Sequence, residues 1–589
     1  MYYDFTVPIP RIPGKIVYKA KGDTSYVLYQ YGQVYKTEKQ YVIPQRSIIG
    51  KVHPDDRTLM YPNEKYQEYF PEAVMPEERP EAYRSCALRI GSYAVVRKVL
   101  EEYGIPEMLR NRLKKDTGLF LDLVSYLIVN EDNAGQYYPD YAFCHPLFSD
   151  RMRVYSDVTV SRLLKSIRRE QTIGFLDDWN KKRDHKQLVY ISYDSSNKNC
   201  QAGDVGLVEY GKAKDDKGLP VFNIGLAFDK NNRLPLFYEE YPGSITDVSQ
   251  FRYMVDKVKE YHYKHIGFVL DRGYFSKENI RYMDENGYPF VIMVKGRKDL
   301  VSSLVLANRN TFETDRDCVI SSYRVYGKTV ITRLYEDDEK DRFIHIYFNV
   351  SRQAAERTVF EQELDRMKLK MDKGKGQIVT YTKLYHDLFD LKYDRKGQFL
   401  SYAEKKDVIQ KQLELCGYFC IATSSKMTAA EALTLYKGRD VSEKLFAADK
   451  SFIGSKSMRV HSAEALSAKL FLEFIALIVR NRIYNLLKEM MLKLESNPNY
   501  MTVPAAIREL EKIEMVRRNN GQYRLDHAVT KKQKVILSAF GLSDESIRQT
   551  ANEIGQALIN NKLAVSETDE SDREEEESEN GENEIDFID

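Results

Sequence analysis

QLVYISYD (187–194) and HIGFVLD (265–271) are two apolar runs that each close on an aspartate. Between them lie VGLVEYG (205–211), VFNIGLAFD (221–229) and LPLFYEEYPG (234–243), then ITDVSQFRYMVDKVKEYH (245–262). The short runs are rich in β-branched and aromatic residues and bounded by Gly, Asp or Asn, which reads as strands. The longer stretch has apolar residues at helical spacing, and KENIRYMDENG (277–287) reads as a second helix.

Three consecutive strands, a helix and then a central apolar strand is the order of a ribonuclease-H-like α/β domain. Asp194 and Asp271 end the first and the later central strand of that order. A strand-end aspartate alone is often a turn cap. Two of them on strands of one domain suit a centre that holds divalent cations through hard oxygen ligands.

A third acid belongs to such a centre, and Glu443 is the candidate. Tyr436, Arg439, Glu443 and Lys450 fall within an arc of roughly 60° if 427–453 is one helix. A carboxylate then shares a face with two cations and a phenol. The same spacing also describes a surface ladder of ion pairs.

Working outward, residues 290–415 contain β-hairpin runs and one charged helix, and they interrupt the catalytic order. CGYFCIATS (416–424) returns as a strand, and SAEALSAKLFLEFIALIVRNRIYNLLKEMM (462–491) is a strongly apolar helix. The expected units are a basic β-rich region (1–60), a helical DNA-binding region (61–184) and a catalytic core in two parts (185–289 and 416–490). The insertion (290–415), a C-terminal DNA-binding or dimerisation region (491–565) and a disordered acidic tail (566–589) complete them. Lysines and tyrosines interleave along 15–51, and Arg162, Lys165, Arg168 and Arg169 lie on an expected helix at 159–179. Asn520-Gly521 signals a tight hairpin turn.

The chain has 589 residues with a formal net charge of +1. That balance hides an asymmetry: 566–589 holds 13 acidic residues against Arg573 alone. The remainder is therefore strongly basic and suits a polyanionic partner. No apolar run is long enough for a membrane span, and MYYDFTVPIPRIPGK lacks a secretory layout. Six scattered cysteines without paired spacing read as buried reduced thiols. His262 and His265 read as surface residues, and Trp179 as core.

YISYDSS (190–196), VLDRGYFSKENIRYMDENGYPFVIMVKGR (269–297), the Y-x2-R-x3-E-x6-K pattern at 436–450 and PGSITD (242–247) together resemble the DDE transposases of bacterial insertion sequences. The subgroup is the insertion-sequence-four-like one with the Tyr-Arg-Glu-Lys signature. The resemblance runs from about 187 to 485 and implies an inserted β-rich domain between the second and third acids. It implies that Asp194, Asp271 and Glu443 hold two Mg²⁺ or Mn²⁺ ions. Tyr436, Arg439 and Lys450 should contact transposon-end DNA. The implied activity is cutting at terminal inverted repeats and joining of 3′-OH ends to target DNA. The implied partners are double-stranded DNA and a second copy of the chain, in a bacterial cytoplasm near the nucleoid. The competing readings are a catalytically silent DNA-binding protein and a metal-dependent nuclease without strand transfer.

Overall fold

The structure, a computed structural model, describes residues 2–3, 5–22, 24–36, 41–73, 84–183, 188–200, 205–210, 219–245, 247–294, 298–438, 457–460, 462–517 and 522–568. An N-terminal five-stranded antiparallel sheet opens the chain. Its long strands Ile16–Lys21, Thr24–Lys36 and Tyr41–Val52 lie side by side, followed by Leu59–Pro62 and the short Val7–Pro8. Val7, Val27, Ile49, Met60 and Tyr66 form its own small core. Helices fill 91–181.

The expected single helix at 159–179 is two, Asp157–Ser166 and Arg169–Lys181. The break has a local cause. Ile167 is extended, and the Gln171 side chain reaches back to accept from the Arg168 N–H at 2.8 Å, starting a new helix.

The central sheet is built from β1 (Val189–Cys200), β2 (Val221–Asp229), β3 (Leu234–Pro242), β4 (Ile266–Leu270) and β5 (Phe290–Met293). Helix α1 (Asp247–Glu260) precedes β4 and α2 (Lys277–Glu285) comes after it. Then come β6 (Val319–Ile320), β7 (Val325–Thr332), β8 (Arg342–Phe348), β9 (Tyr418–Thr423), α3 (Ala429–Lys437), β10 (Ser457–Met458) and α4 (Ala463–Lys493). Across the sheet the order is β6-β7-β8-β9-β5-β4-β1-β2-β3, with β10 beside the far end of β1. β1, β2 and β3 are antiparallel; β4 runs parallel to β1, and β5 parallel to β4. Every residue of β2 and of β4 is buried, which is why both read as unbroken apolar runs.

Three details depart from the sequence reading. VGLVEYG forms no strand over its described part; Glu209 alone bridges to Val221. β1 does not stop at Asp194 but continues through SSNKNC, all buried. Finally, β5 through β9 extend the central sheet, so much of the expected insertion shares one sheet with β1 to β4. A true satellite does lie between β8 and β9. It holds the helix Val350–Gly374, the hairpin Phe389–Tyr393 and Phe399–Glu404, and the helix Lys406–Leu415. Leu364, Met367, Met371, Phe389 and Phe399 form its core.

α4 joins the N-terminal helices to the sheet. It is buried almost all round from Ala465 to Ile483, as its largely apolar sequence requires, and the burial takes in Lys469, Glu473, Arg480 and Asn481. Phe471 meets Phe120 and Phe175 at ring distances of 5.0 and 5.3 Å, while Phe474 packs on Tyr238 of β3 at 5.1 Å. Trp179 is fully buried, and its indole N–H donates to Pro235 O at 2.9 Å. Strands Glu514–Arg517 and Tyr523–Leu525 pair as a hairpin whose expected Asn520-Gly521 turn lies outside the described residues. So does 569–589 of the acidic tail. No helix among the described residues is long and apolar enough to cross a membrane. All six cysteines are free; Cys200, Cys416 and Cys420 are buried as expected, whereas Cys144 and Cys318 are half-buried and Cys86 is exposed. His262 and His265 are exposed.

Candidate active site

Strand register brings the two aspartates together. Parallel pairing of β4 with β1 sets Ile266 beside Val189 and ends with Leu270 beside Tyr193. Asp271 and Asp194 are each the next residue after that last pair, so the register leaves both at the same end of two adjacent strands. Each is partly exposed. One carboxylate oxygen of each is tied to the next backbone N–H: Asp194 Oδ1 accepts from Ser195 at 2.9 Å, and Asp271 Oδ1 from Arg272 at 2.7 Å. Asp271 thereby caps the short turn Arg272–Tyr274.

Both side chains leave the same face of the sheet. Val269, two residues before Asp271, packs with Val291, Leu433 and Tyr436 under α3, and Tyr190 joins that cluster from β1. Strand alternation carries Asp194 to the face of Tyr190 and Asp271 to the face of Val269. Across the sheet, Asp194 pairs with Leu226, and Leu226 with Tyr238, on the face that α4 covers. The aspartates therefore lie between α3 on one side and α4 on the other.

Tyr436 occupies the last turn of α3. It is only 5% exposed, and its hydroxyl donates to Asp271 Oδ1 at 3.3 Å. The helix expected to run unbroken to 453 stops early. α3 ends at Lys437 with Gly438 as its cap, so Tyr436 stands on a short helix. Arg439, Glu443 and Lys450 lie outside the described residues. The chain returns at β10, which pairs in parallel with Asn199 and Cys200 of β1. Both ends of the Glu443 segment are thus anchored on the aspartates' own sheet.

Lys230, which no sequence motif marks, fixes the near end. It comes directly after β2, and its ammonium donates to the α3 carbonyls of Thr434, at 3.0 Å, and Leu435. A Cβ on Gly438 would lie 1.8 Å from Lys230 Cε, so any larger residue there must displace the Lys230 side chain. Burial pushes the Lys230 ammonium down to about 8. At the far end, Lys198 of β1 pairs with Glu473 of α4 at 2.7 Å, and both side chains are buried. Burial likewise pushes the nearby Lys469 down.

Among the described residues, no group of three or more Asp, Glu, His or Cys side chains is gathered as a metal site. Asp194 and Asp271 contribute two hard-oxygen carboxylates, which fits a divalent cation that takes its remaining ligands from elsewhere.

Residues 195–479 match the family model described as the transposase DDE domain. The match supports a DDE transposase. It spans just under half of the chain, begins one residue after Asp194 and includes Asp271 and Glu443. No curated protein matches the sequence. Among solved structures, one similar chain is a piggyBac transposase, seen as a synaptic complex with hairpin DNA. That likeness has 9% identity and a TM-score of 0.30, covering 84% of this chain and 81% of the other.

Proposed function

We propose that this DDE transposase cuts at the terminal inverted repeats of a mobile element and joins the 3′-OH ends to target DNA. The observation that carries the reading is that Asp194 and Asp271 each directly follow the last registered pair of two adjacent parallel strands, in a chain whose residues 195–479 match the transposase DDE domain. The order β3-β2-β1-β4-β5, with three antiparallel strands and then two parallel ones, supports a ribonuclease-H-like core. Residues 185–289 and 416–490 are proposed as its two parts, with 61–184 as a DNA-binding region and 491–565 as a DNA-binding or dimerisation region.

Asp194, Asp271 and Glu443 would hold two Mg²⁺ or Mn²⁺ ions, which supply an activated attacking oxygen and charge stabilisation at the phosphodiester. The chain's own contribution is placement. The backbone N–H groups of Ser195 and Arg272 orient the carboxylates, and the Tyr436 hydroxyl holds Asp271. Arg439 and Lys450 are proposed to contact the phosphates beside the cut. Two ends must be joined, so a homodimer on double-stranded DNA is the proposed working form.

Incubating DNA that carries the gene's flanking ends with Mg²⁺ or Mn²⁺ tests the reading. Wild type should cut at the ends, and Glu443→Gln should bind without cutting. Equal cutting by both would exclude Glu443 as the third acid. End binding without cutting by either would instead favour a silent DNA-binding protein.

A further inference from the structure

The four longest strands of the N-terminal sheet, Ile16–Lys21, Thr24–Lys36, Tyr41–Val52 and Leu59–Pro62, contain five basic residues, seven tyrosines and no acid. Register sorts these residues by face. Lys19 lies opposite Tyr26, Tyr26 opposite Lys51, and Lys51 opposite Tyr61. Directly paired residues share a face, so Lys19, Tyr26, Lys51 and Tyr61 form one row across four strands. Val27, the neighbour of Tyr26, points the other way into the small core, so the row is on the outer face. Arg46 belongs to that face too, since its guanidinium donates to Gln30 Oε1 at 3.4 Å. Tyr2 brings its ring within 6.2 Å of Tyr26.

Lysine and tyrosine thus alternate along the row, with the two lysines about 10 Å apart across the Tyr26 ring. Cations alone would suit any polyanion. Rings between the cations add a demand for flat apolar faces, and nucleic acid presents those only where its bases are unpaired. In a duplex the base faces are stacked against each other.

We infer that this outer face binds single-stranded nucleic acid, with bases on Tyr26 and Tyr61 and phosphates on Lys19, Lys51 and Arg46. The choice of DNA over RNA rests on the proposed function; the surface itself is independent of the aspartate pair. Binding is read without cleavage, so a failed active-site assignment leaves this test intact.

The experiment is fluorescence anisotropy of the full chain with labelled oligo-dT, oligo-rU and a duplex of equal length, over a range of salt. Tyr26→Leu should weaken oligo-dT binding by about tenfold or more and leave duplex binding unchanged. Tyr26→Phe should keep the affinity, which separates lost stacking from a disturbed fold. Lys19→Gln with Lys51→Gln should lower the salt slope for oligo-dT by about 1.4. Unchanged oligo-dT affinity in Tyr26→Leu and in the lysine pair overturns the inference. Equal losses for duplex and single strand overturn its restriction to unpaired bases. Oligo-rU binding tenfold tighter than oligo-dT overturns the assignment to DNA.

Discussion

Asp194→Asn or Asp271→Asn keeps the shape of each side chain and removes a charged oxygen ligand. Either should lower metal-dependent cutting by at least about a hundredfold, since cation charge stabilisation is worth several kcal/mol. Thermal unfolding should barely change, and a large drop in melting temperature would instead assign the aspartates a structural role. Tyr436→Phe removes only the hydroxyl that meets Asp271. The ring stays packed against its apolar neighbours, so stability should hold while cutting falls about fivefold, the value of one hydrogen bond. At this scale the sequence shows the aspartates because each charge breaks an apolar run, whether the strand ends there, as before Asp271, or runs on, as through Asp194. The sequence pattern marks Tyr436 only as a DNA contact. Its hydroxyl's carboxylate partner is invisible there because that partner lies 165 residues away.

Helices and strands here are held at their ends by distant side chains. Lys230→Met would leave the last carbonyls of α3 without their cation, at a cost of about 1 kcal/mol. Cutting should fall further than stability does, because the Glu443 segment leaves from that end. Gly438→Ala should reproduce the defect by displacing Lys230, and full activity in both variants would remove Lys230 from the positioning of α3. The other tie is Lys198–Glu473. Lys198→Met alone should destabilise by about 3–5 kcal/mol by stranding a buried carboxylate, whereas adding Glu473→Leu should recover most of the loss. Chemical denaturation of the two variants measures the difference. The same pair explains why β1 looks shorter in the sequence than it is. SSNKNC is polar, and a partner 275 residues away helps make the burial of Lys198 tolerable. The helix expected at 159–179 is broken for a more local reason, since a glutamine three residues on can restart a helix as readily as continue one.

Across the whole molecule, one sheet runs from the aspartate strands into the inserted segment. His345 of β8 reports on that continuity. It is fully buried between the hydroxyls of Thr329, at 2.9 Å, and Thr423 of β9, at 3.0 Å. Burial pushes its ring down to about 4 from an ordinary 6.5. The folded pKa lies below the unfolded one, so as pH falls from 6.5 to 4 the unfolded chain takes the proton first and stability is lost. The loss reaches about 3 kcal/mol. His345→Gln should therefore show a flatter stability profile than wild type between those pH values, and parallel profiles would refute the assignment. The merging of β5 to β9 into the central sheet is not legible in the sequence. Hairpin runs announce their own turns, but which sheet edge they join is decided by long-range pairing.

Of the two helices over the aspartates' face of the sheet, α4 is the last to be synthesised. The ribosome makes both aspartate strands long before it makes the helix that seals their face and ties them to the N-terminal helices. Until residue 493 has emerged, Phe120, Phe175 and Tyr238 lack the side chains that cover them. A message cut short, or a nascent chain still being extended, therefore yields an unsealed intermediate for proteases to clear. The architecture makes the sealing of the aspartates' face a late event, set by the order of translation.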